Sequence, residues 1–88
     1  MRCIFDSEKN EANIAKHGFS LDAFERLDFE TALFERDVRR DYGEERIRVF
    51  ALLEGRLCAA VFTIRDHTYR VISFRKSNAK ERERYEKR

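Results

Sequence analysis

The sequence contains no proline and only three glycines, at positions 18, 43 and 55, among its 88 residues. A long flexible linker is therefore not expected, and residues 1–88 are predicted to form one small domain. No apolar run is long enough to cross a bilayer, and the N-terminus lacks the apolar core of a signal peptide. These absences predict a soluble, cytoplasmic protein with no membrane partner.

Cysteine is also scarce. Cys3 and Cys58 are far apart, and neither they nor the two histidines show a metal-ligand or redox spacing. The expectation is two free thiols in a core, no metal site and no cofactor. Neither a glycine-rich phosphate loop nor a G-x-S-x-G motif occurs, so the sequence does not support a P-loop nucleotide-binding protein or an α/β-hydrolase.

Charge, by contrast, is abundant, since 41% of the residues are charged. Residues 1–45 carry 7 basic and 12 acidic side chains, residues 46–69 carry 4 and 2, and residues 70–88 carry 8 and 3. The C-terminal third therefore favours a polyanionic partner, while the N-terminal half would repel a polyanion or meet a basic protein. Eight phenylalanines and many aliphatic residues argue against disorder.

The first half of the chain predicts a short strand followed by two helices. Residues 2–5 form an apolar opening, and Asp6 is a good N-cap for a helix from Ser7 to Lys16. Gly18 supplies the left-handed residue that ends this helix. Ser20 is expected to cap a second short helix. Apolar residues recur in it at helical spacing: Leu21, Phe24 and Leu27.

The second half predicts a sheet and a closing helix. A short strand is expected around Ala32 to Glu35 and a loop over 39–45. Three stronger strand signals follow: Arg46–Leu53, Leu57–Ile64 and Tyr69–Phe74, joined by turns at Glu54-Gly55 and Asp66-His67. Ser77 or Asn78 then caps a C-terminal helix, with Glu81 at capping-box spacing from Asn78. The fold class is therefore α+β, in which an antiparallel β-meander carries the helices.

The hairpin Thr63–Lys76 is the first candidate site, because it carries Arg65, Arg70 and Arg75 and leads into a basic helix. Arginine offers a planar fork of donors that matches phosphate and keeps its charge. By period two, Ser73 should face the same way as Val71 and Arg75. The alternative is that these arginines are solvated residues at strand ends and that Ser73 is a plain surface hydroxyl.

Other side chains suggest proton transfer and base contacts. His17 titrates near neutrality and could be an acid or base, although a histidine before a C′ glycine also simply complements the helix dipole. His67 reads as an exposed turn residue. Tyr42 and Tyr85 could stack on bases, or could equally be packing residues with surface hydroxyls. The RNA-binding candidates are Tyr42, Ser73, Lys76 and Lys80.

Taken together, these residues resemble the BrnT-type toxins. The motifs that carry the resemblance are Asp6-x-x-Lys9-x-x-x-Asn13-x-x-Lys16-His17-Gly18-Phe19, Tyr42-Gly43-Glu44-x-Arg46, Gly55-Arg56, Val61-Phe62-Thr63-x-Arg65, Arg70-Val71-Ile72-Ser73-x-Arg75-Lys76-x-Asn78 and Glu83-Arg84-Tyr85. They span essentially the whole chain, and their joint order is more specific than any one of them. Phe5 stands where members often carry tryptophan, and Ala51 where glycine is frequent; both look like packing changes.

The resemblance implies a RelE-like α+β fold and a ribonuclease toxin of a bacterial type II toxin–antitoxin pair. Such a toxin would arrest translation by cutting RNA, possible substrates including ribosome-associated mRNA, without a metal. Its partner would be a ribbon-helix-helix antitoxin that covers the basic hairpin, and operator DNA would be contacted only through that antitoxin. By position, the family's Lys-His pair falls on Lys16 and His17, and its strand arginines fall on Arg65, Arg70 and Arg75.

The mechanism expected from this resemblance is attack of the RNA 2′-hydroxyl on the adjacent phosphate. His17 or Lys16 would transfer a proton, the three arginines would hold the phosphate, and Tyr85 would stack or donate a proton. Two alternatives stay open. One is a non-catalytic module that binds nucleic acid or the ribosome, and the other is a protein-interaction subunit whose basic tail docks an acidic partner.

Overall fold

The chain folds into a five-stranded sheet with helices packed on it, and the computed structural model describes all 88 residues. In chain order the elements are β1 (Cys3–Ile4), α1 (Ser7–His17), a 3₁₀ helix (Leu21–Arg26), β2 (Asp28–Arg36), β3 (Ile47–Leu53), β4 (Arg56–Arg65), β5 (Thr68–Lys76) and α2 (Ala79–Glu86). The α+β prediction is confirmed. Neither α-helix is long and apolar enough to span a membrane.

The strand order in the sheet is β1-β5-β4-β3-β2. Strands β2 to β5 form the predicted antiparallel meander, and β4, whose sequence is a nearly continuous apolar run, lies at the centre. β1, however, runs parallel to β5, with Cys3 beside Tyr69 and Ile4 beside Arg70. The prediction of a purely antiparallel sheet was therefore wrong. Most of the chain separates β1 from β5, so no hairpin dictates their relative direction.

Two tight turns connect the last three strands at the predicted positions. Glu54 and Gly55 have φ values of 50° and 81°, and Asp66 and His67 have values of 53° and 63°. Two successive left-handed residues make the turn that matches the twist of a β-hairpin. These turns fix the register of β3, β4 and β5.

Helix α1 begins at Ser7 as predicted and ends at His17, one residue beyond the predicted end. The Asp6 carboxylate accepts the Glu8 N–H at 3.4 Å, and Gly18, with φ of 81°, donates its N–H to the Ile14 carbonyl at 2.8 Å. A residue with a Cβ would be strained at that φ, so glycine is required there. His17 thus occupies the last position of the helix.

The second helix departs from the prediction in two ways. It is a 3₁₀ helix, and the Ser20 side chain does not cap it. Instead the Asn10 Oδ1 atom accepts both the Ser20 hydroxyl at 3.2 Å and the Leu21 N–H at 2.7 Å. A side chain from α1 therefore satisfies the amide that a local cap would have satisfied.

Strand β2 is longer than the expected segment around Ala32 to Glu35. It begins at Asp28, and an irregularity in its pairing with β3 lies between Asp28 and Leu33. A bulge breaks the alternation of apolar and polar residues, which is the pattern by which strands are found in sequence.

The two faces of the sheet are covered unequally. The 3₁₀ helix packs on one face, which contains most of the core and is called the α1 face, while α1 itself lies along the edge of β5. The largest fully buried side chains of this core are Phe24, Phe74, Leu21, Val49, Val71 and Cys58. Helix α2 packs on the opposite face, the α2 face, over a small cluster of Phe50, Leu57 and Ala59. Leu33, Leu52 and Tyr85 pack against this cluster, and the α2 face also carries charged side chains such as Arg48 and Arg75.

Both cysteines are free thiols, as predicted. Cys58 is buried in the core, whereas Cys3 is only partly buried. Burial, together with a hydrogen bond to Glu25, raises the pKa of the Cys3 thiol to about 12. The Cys3 thiol is therefore protonated and a poor nucleophile at neutral pH.

Helix α2 begins with the predicted capping box. The Asn78 side chain accepts the Glu81 N–H at 2.9 Å, and the Glu81 carboxylate accepts the Asn78 N–H at 3.0 Å. Lys87 and Glu83 form an i,i+4 ion pair at 2.9 Å. The capping box fixes the position of Glu81, which matters for the site described below.

Candidate functional site

A bulge in β5 decides which of its side chains face the same way. The residues of β4 and β5 that lie opposite each other are Thr63 and Arg70, Val61 and Ser73, and Ala59 and Arg75, with a shift of register between the first and second pairs. Arg70, Ser73 and Arg75 consequently all lie on the α2 face. Val71 pairs with Phe62 and is buried on the α1 face, so the prediction that Val71 and Ser73 face the same way was wrong.

Helix α1 is fastened to the exposed edge of β5 by one amide side chain. Asn13 donates through Nδ2 to the carbonyl oxygens of Phe74 and Phe19, each at 2.8 Å, and its Oδ1 accepts the Phe74 N–H at 3.1 Å. Asn13 thereby satisfies both backbone groups of Phe74, as a neighbouring strand would. The last turn of α1 is held beside the second half of β5 as a result.

This contact creates a shallow cavity of about 230 Å³ between α1 and β5. Seven residues line it: Lys9, Ala12, Asn13, Lys16, His17, Ile72 and Ser73. Two of these are lysines, one is a histidine, and none is acidic. A cavity with two lysines, a hydroxyl and no carboxylate suits an anionic group such as a phosphate.

The surroundings of His17 in this cavity favour its neutral form. Partial burial lowers its pKa below the usual 6.5, and the charges of Lys16 and Arg75 lower it further. A neutral imidazole is available as a proton acceptor at pH 7. Arg75 follows Ser73 of the cavity by two residues and lies on the same face of β5.

Arg75 connects β5 to α2. Its Nη1 and Nη2 atoms donate to the two carboxylate oxygens of Glu81 at 2.8 and 2.7 Å, and the Glu81 side chain is only 6% exposed. This hydrogen bonding raises the pKa of Arg75 and lowers that of Glu81, so the pair stays charged. The Arg75 Nε–H has no protein acceptor. Glu81 therefore orients the guanidinium and leaves a donor free for a ligand.

The three hairpin arginines do not converge. Arg65 lies opposite Thr68 at the turn, whereas Arg75 is seven residues further along β5, a separation on the order of 20 Å at about 3.3 Å per residue. Arg65 binds Glu44 at 2.7 Å, and Arg70 lies between the two positions. A single phosphate cannot contact both Arg65 and Arg75, so the expectation that all three clamp one phosphate was wrong.

Tyr85 lies away from Arg75 because α2 crosses the sheet. Its hydroxyl donates to the Thr31 hydroxyl on β2 at 3.3 Å, and Arg88 lies over its ring at 3.7 Å from the centroid. β2 and β5 are three strand spacings apart, roughly 14 Å. Tyr85 is therefore not grouped with His17 and Arg75.

Tyr42 packs inside the loop that joins β2 and β3. Arg46 and Arg40 lie over its ring at 4.1 and 5.1 Å from the centroid, and its hydroxyl donates to Asp37 at 3.1 Å. Stacking on an RNA base would have to displace one of these arginines. In this structure Tyr42 stabilises the loop.

The two remaining lysine candidates are exposed and lie outside the cavity. Lys76 pairs with Cys58 in the sheet, so it is directed towards the α1 face and away from Arg75. Lys80 is in the first turn of α2, on the chain segment that also carries Glu81. Neither makes an ion pair, and both add positive charge near the end of β5.

Sequence inspection missed two arginines on the α2 face. The register aligns Glu35, Arg48, Val61 and Ser73 in one row across four strands. Arg48 binds the Glu35 carboxylate at 3.1 Å, and Arg84 from α2 binds the same oxygen at 2.9 Å. Arg48 is on the strand face opposite to the core residues Ile47 and Val49, and this alternation was the available signal. The sequence gives no such signal for Arg84, because only tertiary packing brings α2 close to Glu35.

The side chains contain no group of three or more His, Cys, Asp or Glu residues that could hold a metal ion. The chain thus combines an α+β fold with a cavity that is lined by two lysines, a histidine and a serine and by no carboxylate. Residues 5–81 match the model of one protein family, described as the ribonuclease toxin BrnT of type II toxin–antitoxin systems. This match covers far more than half of the chain, so the protein belongs to the BrnT toxin family.

Family membership makes the protein a ribonuclease toxin that has an antitoxin partner. Comparison with curated proteins and with solved structures gives no match. The roles of individual residues consequently rest on the geometry described above.

Proposed function

We propose that this protein cleaves RNA without a metal ion and that the reaction occurs in the cavity between α1 and β5. The observation that carries the proposal is the meeting of Lys9, Lys16, His17 and Ser73 in one cavity without a carboxylate, beside Arg75. The positive charge of the lysines would attract an RNA phosphate to this cavity, and His17 would lie beside the phosphate as a proton acceptor.

The chemistry follows from these groups. The neutral His17 accepts the proton of the 2′-hydroxyl while that oxygen attacks the adjacent phosphorus. The bond from phosphorus to the 5′ oxygen breaks, and the Lys16 ammonium donates a proton to the leaving oxygen. The products are a 2′,3′-cyclic phosphate and a 5′-hydroxyl. DNA lacks the attacking oxygen and is not a substrate.

Arg75 and Ser73 complete the proposed site. The Nε–H of Arg75 and the Ser73 hydroxyl donate to phosphate oxygens, and the guanidinium stabilises the charge that develops on them. Glu81 acts through Arg75 as a positioning residue, since it holds the guanidinium by two hydrogen bonds. Arg48 and Arg84, further along the α2 face, bind the phosphates of neighbouring nucleotides.

The proposal also includes the wider role that the family resemblance implies. Cleavage of RNA, with ribosome-associated mRNA as a candidate substrate, would arrest translation in the cytoplasm. A ribbon-helix-helix antitoxin would neutralise the toxin and contact operator DNA. The order of strands and helices is compatible with a RelE-like fold.

A pair of basic-to-alanine variants tests where the site is. Lys16→Ala removes the proposed acid from an exposed helix position, and we expect kcat/KM for RNA cleavage to fall by about 10²-fold. Arg65→Ala removes an equal charge at the β4–β5 turn, on the order of 20 Å from Arg75, and we expect a change within about twofold. The measurement is cleavage of a fluorogenic RNA by both purified variants, after circular dichroism has shown that each is folded.

The opposite ranking would contradict the proposed location. If Arg65→Ala lost activity while Lys16→Ala kept it, the reaction would belong at the hairpin turn. If the wild-type protein bound RNA and left it intact, the protein would be a binding module, and the ribonuclease role proposed for it would be wrong.

A further inference from the structure

One row of side chains crosses the middle of the α2 face, at right angles to the strands. The pairing of strands β2 to β5 aligns four residues in this row: Glu35, Arg48, Val61 and Ser73. All four are partly exposed. Ser73 also lines the cavity between α1 and β5, so the row leads directly into it.

Helix α2 covers the α2 face on one side of this row. Phe50 and Ala59, two residues from Arg48 and Val61 along their strands, are buried there, and Tyr85 of α2 packs against their cluster. Helix α2 therefore forms one wall beside the row.

The loop that joins β2 and β3 covers the α2 face on the other side. Thr63, two residues beyond Val61, is only 3% exposed, and its hydroxyl donates to the Glu45 carbonyl at 2.7 Å. The ring of Tyr42 lies 4.1 Å from the guanidinium of Arg46, which the alternation of β3 places on the same face. This loop is the second wall. The row of four residues, together with the space between the two walls, is called the strip.

The strip has the width of one nucleic-acid strand. Ala59 beneath α2 and Thr63 beneath the loop are four residues apart on β4, which corresponds to about 13 Å. The side chains of both walls occupy part of this distance. An A-form duplex is wider than the strip, whereas a single strand can lie in it with its backbone on the side chains of the floor.

Positive charge is in excess along the strip. One Glu35 oxygen accepts hydrogen bonds from Arg48 at 3.1 Å and from Arg84 at 2.9 Å, so this carboxylate faces two guanidinium groups. Arg70, which lies on the same face, makes no ion pair. In all, four arginines and two carboxylates face the strip: Arg48, Arg70, Arg75 and Arg84 against Glu35 and Glu81.

The charges of the loop do not reverse this excess. Its fourth carboxylate, Asp41, makes no ion pair, and neither does its neighbour Arg40. A polyanion is consequently the occupant that the charge favours. The other three carboxylates are each bound by an arginine within 3.3 Å: Asp37 by Arg39, Glu44 by Arg65 and Glu45 by Arg36.

Two of the arginines are held in place and keep donors for a ligand. The guanidinium groups of Arg48 and Arg84 lie over the ring of Phe50, at 5.8 and 5.2 Å from its centroid. Each uses only its Nη2 atom on Glu35, and an arginine has five N–H donors. Arg48 is two strand spacings from Ser73, about 10 Å. A phosphate beyond the scissile one can therefore be bound while the cavity is occupied.

We propose that the substrate is single-stranded RNA and that its chain lies along the strip, with the scissile phosphate at Ser73 and further phosphates on Arg48 and Arg84. The inference rests on the proposed function, because Ser73 joins the strip to the proposed reaction site. A groove that follows the phosphate backbone binds single strands with little dependence on sequence. A base-paired region would have to open before it could enter.

Binding of an RNA that cannot react tests the strand preference. The probe is a fluorescent 2′-O-methyl RNA on the order of ten nucleotides long, which has no attacking hydroxyl. The duplex probe is the same strand annealed to a 2′-O-methyl complement. Fluorescence anisotropy with the purified free chain should give a dissociation constant about tenfold or more lower for the single strand than for the duplex.

A pair of arginine variants tests the use of the strip. For Arg48→Ala we expect the single-strand dissociation constant to rise by about fivefold, and the slope of its logarithm against log salt to fall by about 0.7, the value for one lost phosphate contact. Arg56→Ala is the matched control, because Arg56 is exposed at the start of β4 and the alternation of that strand places it on the α1 face. Its dissociation constant should stay within about twofold. Circular dichroism checks that both variants fold.

The methyl signals of two valines locate the bound strand by NMR. Val61 is partly exposed in the strip, whereas Val49 is fully buried on the α1 face. On titration with the single-stranded probe, the methyl resonances of Val61 should shift and those of Val49 should not.

Three results would overturn the proposal. The first is a duplex bound as tightly as the single strand, or no binding of either. The second is an equal effect of Arg48→Ala and Arg56→Ala. The third is bound RNA that leaves the Val61 signals unchanged, which would place the strand elsewhere. Cleavage of unmodified RNA is measured separately. Binding in the strip without cleavage would contradict only the ribonuclease proposal, and cleavage that is indifferent to base pairing and to Arg48 would contradict only the strip.

Discussion

Replacing His17 with glutamine is expected to lower kcat/KM for RNA cleavage by about 10²–10⁴-fold, the usual contribution of a positioned general base. Glutamine keeps polarity and approximate size but cannot accept and return a proton. Because His17 is the last residue of α1 and is not in the core, the variant should fold normally. The measurement is cleavage of a defined RNA, with circular dichroism to check folding.

The dependence of kcat/KM on pH tests whether His17 acts as a base. A general base must be deprotonated, so wild-type kcat/KM should rise with pH through the pKa of His17, which lies below 6.5, and level off by neutral pH. The rising limb should vanish in His17→Gln. It should move to higher pH in Lys16→Ala, because the Lys16 charge helps to lower the pKa of His17.

The other histidine is the matched control. His67 sits in the β4–β5 turn with φ of 63°, a conformation that asparagine tolerates well. His67→Asn should leave both the rate and the pH profile unchanged within about twofold. If the rising limb survived in His17→Gln and disappeared in His67→Asn, the base would be at the turn and the assignment of His17 would fail.

Replacing Asn13 with alanine is expected to have the largest effect on stability, a loss of about 3 kcal/mol in the free energy of unfolding. Asn13 is 7% exposed, and its side chain makes three hydrogen bonds, two of them to the backbone of Phe74. Alanine leaves a buried N–H and two carbonyl oxygens without their partner. Thermal unfolding followed by circular dichroism should show a decrease in Tm of about 10–20 °C.

Asn10 provides the comparison for this change. Its Oδ1 atom accepts the Leu21 N–H at 2.7 Å at the start of the 3₁₀ helix, but it makes no bond to β5. Asn10→Ala should cost about 1 kcal/mol, as loss of a cap usually does. Equal losses in the two variants would show that Asn13 does not have the special role of holding α1 to the strand edge.

The sequence correctly predicted those features of the fold that depend on only a few neighbouring residues. The caps at Asp6 and Asn78, the left-handed Gly18 and the two hairpin turns each depend on a few neighbouring residues, and all were found in their expected places. The apolar run of β4 predicted a central strand because burial on both faces removes alternation. Such features can be read without knowledge of the rest of the fold.

Non-local causes account for the errors. The bulge in β5 reverses the parity of the strand, so period two placed Val71 on the wrong face. The direction of β1 and the length of β2 depend on pairing with distant strands. The capping of the 3₁₀ helix depends on Asn10, from another helix, in place of the local Ser20.

The candidate site was predicted in part. Lys16, His17 and Ser73 line one cavity, but the contact between Asn13 and Phe74 that brings them together could not be predicted from the sequence. Composition alone could not show that Glu81 would hold Arg75. Charge patterning identified a cationic C-terminal third, but Lys9 and Lys16 of the cavity come from the acidic N-terminal half, and only the tertiary structure places them beside β5.

The central claim, cleavage by attack of the 2′-hydroxyl without a metal ion, is tested most directly at a single phosphodiester bond. The purified protein is incubated with a defined RNA in the presence of EDTA, the cleavage position is mapped, and the same RNA is prepared with a 2′-deoxy nucleotide at that position. The proposed mechanism predicts cleavage of the RNA to a 2′,3′-cyclic phosphate and a 5′-hydroxyl, and no cleavage at the deoxy position. Cleavage at the deoxy position, or cleavage only after a divalent metal ion is restored, would contradict it.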